Sequence, residues 1–299
     1  MRHPPRFLRY LRQTIRQRSG PAAVNAATQD WLTQGFAALR ARDYPTALHH
    51  FDNAVQAQPT SHAAWYSRGI ALYHLEQDDA ALEAFTRAGR HQPQSHLAWS
   101  GRGMVLAELG RNEEAIAAFD HAIDLEPRSH LAWLGKGMAL VNGQQWHEAI
   151  PVFQTALERH TITAQGWYGL GIAYFYAEQT AEALTAFEQS IRLQEDFDLA
   201  WYGKGLALSQ EQRYQEALDA FDTAIDANPQ HALSWFHKAQ TLHTMERFEE
   251  ARLAYEHVLT LTTVSRQLRI DTQRLLQRAQ RKLPAIDQSP DDMEQTHAE

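Results

Sequence analysis

Seven of the eight tryptophans in this chain stand on one ruler. Trp31, Trp65, Trp99, Trp133, Trp167, Trp201 and Trp235 are each 34 residues from the next, and only Trp146 falls outside the series. A fixed period of roughly 20–50 residues marks a chain that stacks one supersecondary unit on the next. "SHLAWSGRGM" at 95–104 returns as "SHLAWLGKGM" at 129–138. A length of 299 residues would otherwise suggest two domains. A stack grows in one dimension and needs no second core.

Starting each unit three residues before its tryptophan gives 28–61, 62–95, 96–129, 130–163, 164–197, 198–231 and 232–265. Position 8 is glycine in six units and Ala239 in the last; position 20 is alanine in all seven. Position 24 is phenylalanine six times and Tyr255 once, and position 32 is proline four times. Trp, Gly and a large apolar residue at positions 4, 8 and 11 form one helical stripe; Ala, Phe and Ala at 20, 24 and 27 form a second. Two helices per unit follow. Glycine inside a helix costs about 1 kcal/mol against alanine, so its recurrence implies close packing of the two helices there. The terminal proline stops the second helix, and Ser61, Ser95 and Ser129 stand where the next helix needs a cap.

The pattern W-x3-G-x2-[L/Y]…A-x3-F-x2-A…P over 34 residues resembles the tetratricopeptide repeat, seven times in register over 28–265. The resemblance implies an all-α fold, a right-handed α-solenoid (superhelix) of antiparallel helix pairs. It implies that the first helices line the concave face and that the function is protein binding. There are departures. Thr161 and Glu195 replace the terminal proline, Pro151 falls inside the second helix of repeat 4, Ala38 replaces a large residue, and repeat 7 carries Ala239, Val258 and Thr263. The junction after repeat 4 is therefore expected to alter the curvature slightly.

On the first helix, positions 2, 5, 9 and 12 form another stripe, rotated away from the Trp-Gly stripe. In the family this stripe lines the groove. Here it supplies Tyr66, Leu97, Met104, Leu131, Leu134, Met138, Tyr168, Leu199, Tyr202 and Phe236 as candidate partner-binding residues. Position 6 is glycine in four consecutive repeats, which reads as a floor to an aromatic-lined groove for an apolar helix or extended segment. The alternative is that much of the stripe packs neighbouring first helices. The carboxylate-clamp version of the family uses Lys and Asn at positions 5, 6 and 9; neither occurs there, which argues against an acidic C-terminus as the ligand.

The ends differ from the body in charge. Residues 1–20 carry six arginines and no acid, whereas 21–263 hold 16 Lys/Arg against 30 Asp/Glu. In "RFLRYLRQTIRQ", Phe7, Leu8, Leu11 and Ile15 share one helical face, with Arg2, Arg6, Arg9, Arg12 and Arg16 as candidate contacts to an anionic surface. A membrane-associated assembly factor is thus the alternative function, and docking on the first repeat is the competing reading of this basic segment (1–27). Residues 266–283 continue as a helix capping the last repeat; 284–299 is an acidic tail expected to be disordered.

Catalysis finds no footing. Without cysteine there is no disulfide, thiolate metal site or cysteine nucleophile. Gly101-x-Gly103 lies mid-helix and meets Leu106 where a dinucleotide fingerprint needs a small residue. His147-Glu148 meets Pro151 where a zincin needs its second histidine. His62, His96 and His130 stand at equivalent positions, at least one helix spacing apart at ~8–10 Å, too far to share a metal. The acidic body disfavours nucleic acid. No apolar run is long enough for a membrane span and no secretory signal is evident, so the expected location is the cytoplasm, and no cofactor is expected.

Overall fold

The computed structural model describes residues 26–159, 163–262 and 264–283. Fifteen α-helices and no strand occur among the described residues. The chain divides into two compact units, the first ending at Ala177 and the second starting at Glu178. The first unit holds α1 (Ala26–Arg40), α2 (Tyr44–Ala57), α3 (His62–His74), α4 (Asp78–His91), α5 (His96–Glu108), α6 (Asn112–Leu125), α7 (His130–Asn142), α8 (Trp146–Arg159) and α9 (Ala164–Tyr176). The second holds α10 (Thr180–Leu193), α11 (Asp198–Gln210), α12 (Tyr214–Ala227), α13 (Ala232–Thr244), α14 (Phe248–Thr260) and α15 (Arg266–Lys282). Within each unit every helix packs on the next, and alternate helices also meet: α1 with α3, α3 with α5, α5 with α7, α7 with α9, and α11 with α13. That is an α-solenoid of consecutive helix pairs.

Four first helices, α3, α5, α7 and α9, begin by one repeated device, and all seven end by another. The Ser61, Ser95 and Ser129 hydroxyls accept from the N–H groups of Ala64, Ala98 and Ala132, and Thr163 accepts from Gly166. At the other end the residue at position 15 takes positive φ in all seven repeats: Arg42, Glu76, Gly110, Gln144, Glu178, Gln212 and Glu246. The next N–H then reaches back five residues, as Arg111 does to the Leu106 carbonyl and Gln145 to that of Leu140, both at 2.9 Å. This is a Schellman closure. Only one of the seven positions is glycine, so the left-handed turn left no mark in the sequence.

Pro151 sits within α8 without breaking it. The junction expected to alter curvature, 160–162, lies outside the described residues. In the second unit α15 packs on α14, with Leu268, Leu275 and Leu276 against the core around Tyr255 and Val258.

The first-helix face and the seam beneath it

The glycines of positions 6 and 8 serve one ring. In the first unit, Phe85 lies between Gly69 of its own repeat and Gly101 of the next; Phe119 lies between Gly103 and Gly135, and Phe153 between Gly137 and Gly169. A methyl group at Gly137 would sit 2.6 Å from Phe153 Cζ, and one at Gly101 would sit 2.6 Å from Phe85 Cδ1. The phenylalanines are 0–3% exposed and cannot yield. One expectation is made specific and one changes. The close packing expected at glycine is made by a phenylalanine ring of the second helix pressed against it. The position-6 glycines are not a groove floor, because the preceding repeat's ring covers them.

A second tie joins successive repeats. The Trp65, Trp99, Trp133 and Trp235 indole N–H groups donate to the carbonyls of Pro59, Pro93, Pro127 and Pro229, at 2.7–3.2 Å. Trp201 donates likewise to Glu195, at 2.8 Å. The tie thus needs the carbonyl and not the proline ring, and α10 ends without one. A third tie is ionic: Arg68–Asp52 and Lys136–Asp120 at 2.6 Å, Lys204–Glu188 at 2.9 Å, and Lys238–Asp222. Each joins position 7 to position 25 of the preceding repeat. Partly exposed pairs add only about 0–1 kcal/mol each, so they set register more than strength.

His62 also spans repeats. Its Nδ1 lies 3.1 Å from the Ala88 carbonyl, so Nδ1–H donates; Nε2 then accepts from Ser95 Oγ at 3.2 Å. Burial holds its pKa below the usual imidazole range, consistent with this neutral tautomer. Among the described residues no group of three or more His, Asp and Glu could hold a metal ion.

The candidate face is uneven. Tyr66, Leu97, Met104 and Phe236 are buried, at 1%, 4%, 9% and 7% exposure. They are corrected from groove lining to core: Tyr66 packs on Phe85 and His62, and Phe236 on Tyr255. Leu131, Leu134, Met138 and Tyr168 are half-buried in the first unit, as are Leu199 and Tyr202 in the second. Tyr202 leans on the rings of Phe221, His231 and His237. Arg2, Arg6, Arg9, Arg12 and Arg16 lie outside the described residues.

The sequence matches the tetratricopeptide repeat family in six overlapping segments, 32–96, 79–130, 100–161, 134–175, 168–232 and 202–262. The chain belongs to the tetratricopeptide repeat family. Its fold is that of solved tetratricopeptide repeat proteins. One from Parabacteroides merdae is 14% identical, with a TM-score of 0.68 over 86% of this chain and 100% of that one. A chain of the APC/C Cut9–Hcn1 hetero-tetramer is 19% identical, with a TM-score of 0.71 over 91% of this chain and 52% of that one. TTC0263 from Thermus thermophilus is 19% identical, with a TM-score of 0.54 over 61% and 100%. No curated protein matches. Tetratricopeptide repeat proteins serve as protein-interaction scaffolds, and this chain is built as one. No described helix is long and apolar enough to cross a membrane.

Proposed function

We propose that this tetratricopeptide repeat protein is a non-catalytic scaffold that holds an apolar helix or extended segment of a partner protein along the first-helix face of repeats 4 and 5. One observation carries the reading: Leu131, Leu134, Met138 and Tyr168 are apolar or aromatic at successive steps of that face and remain half-buried. A half-buried apolar side chain still has area to remove from water, at about 25 cal/mol per Å². Leu199 and Tyr202 are the equivalent patch of repeat 6 in the second unit. Within the first unit α7 packs against α5, α6, α8 and α9, and a face pre-organised by such packing lowers the cost of binding.

The test begins with a partner captured by the full chain and then measured purified. Leu134→Asp with Tyr168→Ala should weaken its affinity at least about thirtyfold, the scale of a central anchor worth ~2 kcal/mol, with helical content unchanged. Unaltered affinity would remove this face from the account.

A further inference from the structure

Charge at the seams comes in matched pairs, except at one. Position 7 of a repeat meets position 25 of the preceding repeat, and there Arg68 pairs with Asp52, Lys136 with Asp120, Lys204 with Glu188 and Lys238 with Asp222. Where position 7 is apolar, at Leu170, the preceding position 25 is the uncharged Gln154. Arg102 breaks the pattern: it is a cation at position 7, and the preceding position 25 is Thr86. The side chain of Arg102 is laid out as that of Arg68. Their guanidinium carbons stand 5.4 and 5.6 Å from the ring centres of Trp99 and Trp65. Arg68 donates through Nε to Asp52 Oδ1 at 2.6 Å; Arg102 Nε is buried and has no hydrogen-bond partner. The Thr86 hydroxyl carries no charge and donates to the Leu82 carbonyl at 2.7 Å. Glu114 does not replace the missing acid either. Its pKa is lowered first by its bonds to Arg111 and last by the charge of Arg102. Lys204 and Lys238 act on Glu216 and Glu250 from the same position, and both still pair across the seam.

From this we infer that the seam between Thr86 and Arg102 is a docking site for a carboxylate carried by a partner protein, an aspartate or glutamate side chain that supplies the acid missing from position 25. A guanidinium stays charged and presents parallel N–H donors that match a carboxylate. A buried donor of a charged group is costly to leave unpaired, so an incoming acid gains more here than at a cation already paired. A carboxylate is the group that the other four seams use, and a single negative charge is what Arg102 lacks. The place can be reached. Arg102 as a whole is half-buried, and Thr86 lines a surface cleft of about 390 Å³ with Arg87 and Arg90. Arg87 is held by Glu83. Arg90, one turn beyond Thr86, is exposed and makes no ion pair among the described residues, so it adds a second free cation. The other acid on the cleft, Asp79, acts on Arg111 of the next repeat. Positions 7 and 25 lie off the stripe of positions 2, 5, 9 and 12, and the site does not depend on the first-helix face of repeats 4 and 5.

The test follows the arginine Nε–H signals of the full chain by nuclear magnetic resonance, with that of Arg102 assigned through Arg102→Lys. The probe is a hexaglutamate peptide, with hexaglutamine at equal ionic strength as the control. Hexaglutamate should shift the Arg102 signal saturably, and hexaglutamine should leave it in place. Thr86→Asp supplies the acid from within the chain. It should move the Arg102 signal in the free protein and raise the peptide concentration that half-saturates it at least about tenfold, with helical content unchanged. An Arg102 signal that hexaglutamate leaves unmoved overturns the inference, as does a half-saturation that Thr86→Asp leaves unchanged. A free wild-type signal already where Thr86→Asp puts it overturns the inference in favour of an acid of this chain. A shift with inorganic phosphate and none with hexaglutamate overturns it in favour of a phosphate group. No captured partner is used, so this outcome and that of Leu134→Asp with Tyr168→Ala are read separately.

Discussion

The seams between repeats 2 and 5 differ from those at the two ends of the repeat array. In the interior, each of Phe85, Phe119 and Phe153 is seated between two glycines. At the first seam, Phe51 has Gly35 on one side, and position 6 of the following repeat is Ser67, whose buried hydroxyl has no hydrogen-bond partner. In the second unit, Phe221 has Gly205 on one side and the His237 ring stacked at 6.4 Å on the other. One repeat later, Tyr255 replaces phenylalanine, Ala239 replaces glycine, and the buried tyrosine hydroxyl is again unpartnered. The ring is therefore the fixed element. From Phe85 to Phe153 two glycines admit it; at the seams of Phe51 and Phe221 Ser67 and His237 stand in place of the second glycine.

The interior seam should be the easier to break. Gly137→Leu would drive a side chain into Phe153, which is fully buried; overpacking of this kind costs up to ~3 kcal/mol or more. Chemical denaturation should show that loss, whereas Gly110→Ala, which meets open space at a φ of 72°, should lose only ~1–2 kcal/mol from its left-handed backbone. Equal losses would mean that seam contact is unimportant.

The His237 seam should be sensitive to acid. Burial lowers the His237 pKa from 6.5 to about 4. Above 6.5 both folded and unfolded states hold it neutral. As pH falls from 6.5 towards 4, the unfolded state takes the proton first, so stability is lost across that window, by up to ~3 kcal/mol. His237→Phe should flatten the slope of stability against pH in that window; an unchanged slope would assign it to other groups.

Smaller effects sharpen the contrast further. Tyr255→Phe should raise the melting temperature, since an unsatisfied buried hydroxyl costs ~1–3 kcal/mol. Gln144→Gly relieves a left-handed residue at φ 60° and should add ~1 kcal/mol. A lowered melting temperature in either variant would contradict the corresponding reading.

Much of the fold was legible because the residues that make it are restricted in kind. Only alanine fits position 20, and only an aromatic ring fills position 24, so both recur visibly. The position-15 turn was not legible, because the Schellman closure is made by backbone and tolerates Arg, Glu and Gln. The indole-to-carbonyl tie was hidden for the same reason. The face was legible in register but not in exposure. Tyr66 and Tyr202 are the same residue at the same position, yet the first is sealed in the core and the second half-buried, which depends on what adjoins them and not on their own identity.

The central claim is that partners engage the half-open first-helix face of repeat 4. The direct measurement places a photo-crosslinking side chain at Leu134 in the full chain and, in a second sample, at Leu253 on the second helix of repeat 7, which is 54% exposed. With the purified partner, Leu134 should give a covalent adduct that Leu131→Asp with Met138→Asp removes, and Leu253 should give none. Adducts at Leu253 with none at Leu134 would contradict the account.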